Sequence, residues 1–167
     1  QITGKKIKVY ENDCRDKNAI REIFKNEKPQ GVIHFAAFKS VGESIENPEK
    51  YFDNNINSLS VMLEVMEEFE VNELVFSSSC TVYGEPGIIP VDENTPLQKP
   101  SSPYGETKVI CEKKLQEFQN TNPDFKIAIL RYFNPVGAHP SGLIGELPIG
   151  VPSNLVPFIT QTAAGWR

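Results

Sequence analysis

The chain has 167 residues and a formal net charge of −5, with no run of lysine or arginine. That length supports one modest domain with a real core, and the acidic balance excludes a nucleic-acid footprint. No apolar run reaches membrane-spanning length and no leader-like segment opens the chain, so the composition predicts a soluble, cytoplasmic protein. Three scattered cysteines, Cys14, Cys80 and Cys111, show neither a disulfide framework nor metal spacing, and no metal site is expected.

The elements alternate along the chain. Lys5 to Tyr10 alternates polar and apolar residues and predicts a strand. A loop follows at Asp13-Cys14-Arg15, with Asp16 as N-cap of a helix marked by Ala19, Ile20, Ile23 and Phe24 and broken by Pro29-Gln30-Gly31. The apolar run Val32 to Ala37 reads as a strand buried on both faces. A loop containing Gly42 leads to Asn47-Pro48, the start of a long helix whose inner face is Phe52, Asn55, Ile56, Leu59, Met62, Leu63 and Met66. Leu74 to Ser79 is the next strand, a Pro/Gly-rich loop reaches Pro100, and a helix opens at Ser102-Pro103. Lys126 to Phe133 is another strand; a last helix is expected from about Asn154 to Ala164. Such alternation predicts an open parallel α/β sheet with helices on both faces and working residues at the carboxyl ends of its strands.

One pair carries chemistry. Tyr104 and Lys108 are four apart in a helix and so share a face. A nearby ammonium favours the phenolate, and a phenol drawn toward neutral pH can take a proton from an alcohol and return it. An exposed tyrosine and a solvated lysine satisfy the same spacing. Ser79, at a strand end, can share a substrate oxygen with Tyr104; a turn-forming role for Ser77-Ser78-Ser79 is the alternative. A serine hydrolase is excluded because Gly-x-Ser-x-Gly is absent. Of the two histidines, His34 lies in an apolar strand and reads as a satisfied core residue, and His139 lies in a loop.

The motifs Val32-Ile33-His34-Phe35-Ala36, Val41-Gly42-Glu43-Ser44, Asp53-Asn54-Asn55, Phe76-Ser77-Ser78-Ser79, Thr81-Val82-Tyr83-Gly84, Ser102-Pro103-Tyr104-Gly105 and Leu130 to Gly142 occur in one order along nearly the whole chain. In them the chain resembles the extended short-chain dehydrogenase/reductase family, and within it the members that invert C4 of UDP-hexoses. The resemblance implies part of a doubly wound, Rossmann-like parallel sheet lacking its first two strands. It divides the chain into residues 1–150, a partial NAD-binding domain, and 151–167, the start of a substrate-binding region. It implies tightly bound NAD and interconversion of UDP-galactose and UDP-glucose by oxidation and re-reduction at C4. Tyr104 exchanges the proton of the 4-hydroxyl, Ser79 hydrogen-bonds the 4-oxygen, and Lys108 holds the nicotinamide ribose and lowers the Tyr104 pKa. Cofactor contacts fall on Asp13, Cys14, Phe35, Ala36, Ala37, Lys39, Asn54, Tyr104, Lys108 and Phe133. Substrate contacts fall on Ser79, Tyr104, Tyr132, Asn134, Asn154 and Leu155. A homodimer is implied for the full-length protein.

Departures from that pattern are also legible. Cys80 stands where the subfamily has alanine, which a small hydrophobe tolerates. Ser153 stands where it has asparagine, which weakens a uracil or diphosphate contact. The Gly-rich dinucleotide fingerprint and the ribose-gripping acid are absent. The chain therefore reads as an internal fragment, inactive alone, with Lys5–Tyr10 lacking a neighbour. Sugar-nucleotide dehydratases and decarboxylases share the fold but use further acid–base groups, often a carboxylate after the site's serine or threonine; here Cys80 and Thr81 follow. A non-catalytic nucleotide sensor is the remaining alternative, and it has no use for Ser79, Tyr104 and Lys108 together.

Overall fold

The structure is a computed structural model that describes residues 2–148, 150–152 and 154–166. Tyr10–Tyr132 forms one compact unit, and Gln1–Val9 with Phe133–Arg167 forms another.

The larger unit is a three-stranded parallel sheet with helices. Its elements are α1 (Lys17–Glu27), β1 (Val32–His34), α2 (Val41–Glu46), α3 (Pro48–Glu68), β2 (Glu73–Ser79), α4 (Pro103–Thr121) and β3 (Lys126–Tyr132). A 3-10 turn, Cys80–Tyr83, follows β2. The strands lie in the order β1-β2-β3. Each boundary has a local cause. Asp16 accepts the N–H groups of Asn18 and Ala19 to start α1, and Lys28 closes it in the left-handed region at φ 45°. Pro48 opens α3, although Asn47 makes no side-chain cap.

Register decides which residues meet. Val32 and His34 pair with Leu74 and Phe76, and these with Ile127 and Ile129. Side chains alternate along a strand, so these residues share one face. That face packs with Ile20 and Phe24 of α1, Leu59, Leu63 and Met66 of α3, and Cys111 and Leu115 of α4 in one hydrophobic core. Ile33, Val75, Ala128 and Leu130 lie on the opposite face, where Ile33 is 65 % and Leu130 40 % exposed.

Four expectations change here. The helices of this unit cover one face of the sheet rather than both: α1, α3 and α4 contribute to the same core. The second predicted strand is three residues long and buried on one side only, because the helices of the core pack against one face and leave Ile33 on the other. The loop around Gly42 is the helix α2, capped by Ser40, which accepts the Glu43 N–H. Lys5 to Tyr10 is not a strand; Ile7 and Val9 are 80 % and 74 % exposed, and a strand exists only through its ladder to a neighbour.

The smaller unit contains α5 (Leu155–Ala163), as the sequence predicts, with Asn154 in the N-cap position but making no side-chain cap.

Candidate active site

The helix that bears the Tyr-x-x-x-Lys pair begins as its sequence dictates. Ser102 is extended and its hydroxyl accepts the Gly105 N–H at 3.2 Å; Pro103 takes the first turn and Glu106 supplies its negative charge. Gly105 is there because nothing larger fits: a Cβ would lie 2.8 Å from that of Pro100 and 3.3 Å from that of Thr81. The first turn of α4 thus seats directly on the segment that follows β2, which brings Tyr104 to Ser79.

Both helix residues are withdrawn from solvent, Tyr104 at 9 % and Lys108 at 4 % exposure. The Lys108 ammonium donates to the Ser77 carbonyl at 2.6 Å. It lies 4.9 Å from the centroid of the Phe76 ring and 5.9 Å from that of Tyr104. Ser77, Ser79, Tyr104 and Lys108 therefore form one cluster at the carboxyl end of β2.

The electrostatics run against the sequence expectation of a lowered phenol pKa. Burial raises Tyr104 above the usual range, and hydrogen bonding with Ser79 pulls it back in part. Burial likewise pushes Lys108 down, with Cys111 and Glu112 pulling upward. The reason for the reversal is that desolvation penalises both charged forms, while Lys108 spends a donor on a backbone carbonyl. His34 is buried against Phe76 with ring centroids 6.0 Å apart. Burial, and then the Lys108 charge, hold it down at about 4. Its Nε2 has no hydrogen-bond partner among the described residues, so it is a core histidine but not a satisfied one.

Of the residues expected to hold a cofactor, those of the larger unit outside this cluster lie before α1 (Asp13, Cys14), after β1 (Phe35, Ala36, Ala37, Lys39) and on α3 (Asn54). Asp13 is gripped by Arg15, whose Nη2 donates to Oδ2 at 2.7 Å and whose backbone N–H donates to Oδ1 at 2.8 Å. Those bonds hold the Asp13 carboxyl down at about 2. Arg15 also bonds Asp53 on α3, so it ties the first loop to that helix. Cys14 is half-buried, its thiol pushed up by burial and then by Asp13. Phe35 is 62 % exposed, and its ring meets that of Tyr132 at 6.2 Å across the end of β2. Ala36 and Lys39 are exposed, and Ala37 and Asn54 half-buried. The Asn54 side chain donates to Asn55 Oδ1 at 3.1 Å.

Phe133, Asn134, Asn154 and Leu155 belong to the smaller unit. There Phe133 is 61 % and Leu155 73 % exposed, Asn134 is exposed, and Asn154 donates to Glu146 Oε1 at 3.3 Å. Ser153 lies outside the described residues.

Two features escaped the sequence reading. Asn55, placed there on the inner face of α3 and in the Asp53-Asn54-Asn55 motif but given no role, is a buried fork. Its Oδ1 accepts the Phe38 N–H at 2.8 Å, and its Nδ2 donates to the Phe38 carbonyl at 3.0 Å and to Thr107 Oγ1 at 3.2 Å. A polar residue at an inner helical position was the available signal. The second is an ion pair between the buried Glu112 and the half-buried Arg131, 2.8 Å apart.

No helix among the described residues is long and apolar enough to cross a membrane, and none of their His, Cys, Asp and Glu side chains cluster as metal ligands. Residues 2–150 match the model of the NAD dependent epimerase/dehydratase family. The chain is similar to a protein of Neisseria meningitidis serogroup A named UDP-glucose 4-epimerase, at 49 % identity over 98 % of the chain and 48 % of the relative. It is similar to the protein of that name from Yersinia enterocolitica at 50 % identity, over 99 % of the chain and 49 % of the relative. The chain thus spans about half the length of the curated relatives it matches. Among solved structures it superposes with TM-score 0.93 and 46 % identity on UDP-glucose 4-epimerase from Bifidobacterium longum in complex with NAD+ and UDP, over 98 % of this chain and 49 % of that one. The corresponding figures are 0.94 and 47 % for the enzyme of Stenotrophomonas maltophila with bound NAD and formylated UDP-arabinopyranose, over 99 % and 49 %. With a family model matched over residues 2–150, the chain belongs to the NAD dependent epimerase/dehydratase family.

Proposed function

We propose that the protein carrying this chain interconverts UDP-galactose and UDP-glucose by inverting C4 of the sugar, with NAD as its resident cofactor. The observation that carries the reading is the grouping of Ser79, Tyr104 and Lys108 at the carboxyl end of β2, in a chain about half of whose positions match enzymes of that name. The residues present fit NAD. Lys108 is an ammonium with three donors, of which the Ser77 carbonyl takes one. The exposed Phe35 ring and the small Ala36 and Ala37 follow β1, the strand next to β2. Asp13, Cys14, Lys39, Asn54, Tyr104 and Phe133 complete the residues assigned to the cofactor. When bound, NAD supplies a hydride acceptor that becomes a hydride donor.

The chain's own residues handle the proton and the sugar. Tyr104 accepts the proton of the 4-hydroxyl at its phenolic oxygen and returns it after the sugar turns over. Ser79 hydrogen-bonds the same oxygen and keeps it beside the phenol. A positive charge at Lys108 lowers the cost of ionising Tyr104. Tyr132, Asn134, Asn154 and Leu155 hold the sugar nucleotide. Cys80 and Thr81 follow Ser79. The absence of a carboxylate there favours simple oxidation and re-reduction over elimination. We assign the intact protein to the cytoplasm as a homodimer.

The test is turnover of UDP-galactose by the intact protein and its Tyr104→Phe variant. A loss of roughly 10²- to 10⁴-fold in kcat is expected from removing a general acid–base. Full-speed turnover by the variant, or none by wild type, overturns the reading.

A further inference from the structure

We propose that Glu112 is a positioning residue for the Ser79–Tyr104 pair: its carboxylate, clamped by Arg131, pins Ser78 and so sets the angle at which the end of β2 presents Ser79 to α4. The inference rests on the reading above and goes beyond it, since Glu112 has no place in the proton transfer.

Glu112 lies on α4 four residues beyond Lys108 and eight beyond Tyr104, on the same face. Its side chain is 7 % exposed, yet every bond it makes leaves its own helix. Ser78 donates to Oε1. Arg131, on β3, donates through Nε to Oε1 and Oε2 at 3.1 and 3.2 Å and through Nη2 to Oε2 at 2.8 Å. The remaining guanidinium nitrogen reaches the Tyr83 hydroxyl at 3.1 Å and the Glu93 carbonyl at 3.5 Å. Tyr83 in turn donates to the Asp92 carbonyl at 3.0 Å. One carboxylate therefore joins α4, β2, β3, the 3-10 turn and the loop beyond it.

The geometry reaches the reacting oxygen in one step. Ser78 and Ser79 are adjacent in an extended strand, so their side chains point to opposite sides. Holding Ser78 on the helix-covered face fixes the rotation of the strand end about its axis. That rotation decides where the Ser79 hydroxyl falls relative to Tyr104. A bidentate arginine–carboxylate pair is the stiffest such anchor among side chains, because both groups are planar and their bonds are parallel. Reacting groups displaced by about an ångström lose on the order of 10²-fold in rate, so a stiff anchor here acts on kcat.

The experiment uses Ser78→Ala in the intact, NAD-loaded protein, a change that removes one bond to Glu112 and no charge. Expected are a kcat per bound NAD lowered by about tenfold or more, a KM for UDP-galactose near that of wild type, and an upward shift of the Tyr104 titration as its Ser79 bond weakens. That titration is read by ultraviolet difference against the same protein carrying Tyr104→Phe. Glu112→Gln, which turns an amide donor toward Arg131, is expected to lose at least as much. A lower melting temperature with unchanged kcat per bound NAD and an unchanged Tyr104 titration makes Glu112 a stabilising residue only and overturns the proposal. The titration needs no turnover. It decides the positioning role even where wild type leaves UDP-galactose unaltered, an outcome that sinks the epimerase reading alone.

Discussion

Phe76 and Val75 are neighbours in β2 and live in opposite surroundings. Phe76 is 1 % exposed on the face packed by α1, α3 and α4, whereas Val75 lies on the face where Ile33 and Leu130 stand open. The apolar content of the two faces does not explain the difference, since both carry branched aliphatic residues. The covered face also carries the polar groups that matter: Ser78 bonded to Glu112, and His34 and Lys108 about the Phe76 ring. The open face carries a groove lined by Ile33, Val75 and Ala128 near the amino ends of the strands, the end opposite to Ser79. Covering one face is thus enough to seat Tyr104 and Lys108, while Ser77 through its carbonyl and Ser79 through its hydroxyl meet them from residues that alternate to the other side.

The largest test of this contrast is Phe76→Ala. Truncating an aromatic in a packed core costs about 3–5 kcal/mol, measured by denaturant unfolding of the intact protein; a cost under 1 kcal/mol would mean the covered face is not the core. Next comes pH. His34 sits at about 4 instead of the ordinary 6.5. Folded and unfolded chains both hold it neutral above that ordinary value, so no stability is lost there. As pH falls from 6.5 toward about 4 the unfolded chain takes up the proton first, and stability drops by roughly 3 kcal/mol. His34→Phe keeps the stacked ring without the proton, and its unfolding free energy is expected to fall less over that range. Equal slopes for the two proteins would remove burial as the cause. The smallest effect belongs to the open face. Leu130→Ser in this chain is expected to change stability by less than about 1 kcal/mol, and a loss matching that of Phe76→Ala would show the face to be packed.

What the sequence made legible is what local chemistry specifies. Asp16, the Asn47-Pro48 pair and Ser102-Pro103 mark helix starts by residue type and position, and all three helices begin there. The apolar periodicity of α3 and α4 named their buried faces, Leu59 and Leu63 in one and Cys111 and Leu115 in the other. Ser79, Tyr104 and Lys108 were legible as types at a spacing, and the fold brings them together. The rest depended on partners distant in sequence. Alternation in Lys5 to Tyr10 suggests a strand, but alternation cannot supply a neighbour to pair with. Gly42 reads as a loop breaker, yet the Ser40 cap and the Ser44 hydroxyl donating to the Val41 carbonyl sustain a short helix around it. The direction of the Tyr104 shift depends on burial, which spacing does not report. Glu112 and Arg131 are nineteen residues apart and look like ordinary surface charges until β3 and α4 are superimposed.

Asn55 has a mechanical consequence. One amide grips the backbone of Phe38 on both sides and also bonds Thr107, whose hydroxyl donates to the Tyr104 carbonyl at 2.7 Å. The segment after β1 and the first turn of α4 are therefore geared together, like two plates riveted to one pin. The two segments are expected to open together, and concerted hydrogen exchange of both, lost in Asn55→Ala, is the measurement that checks it.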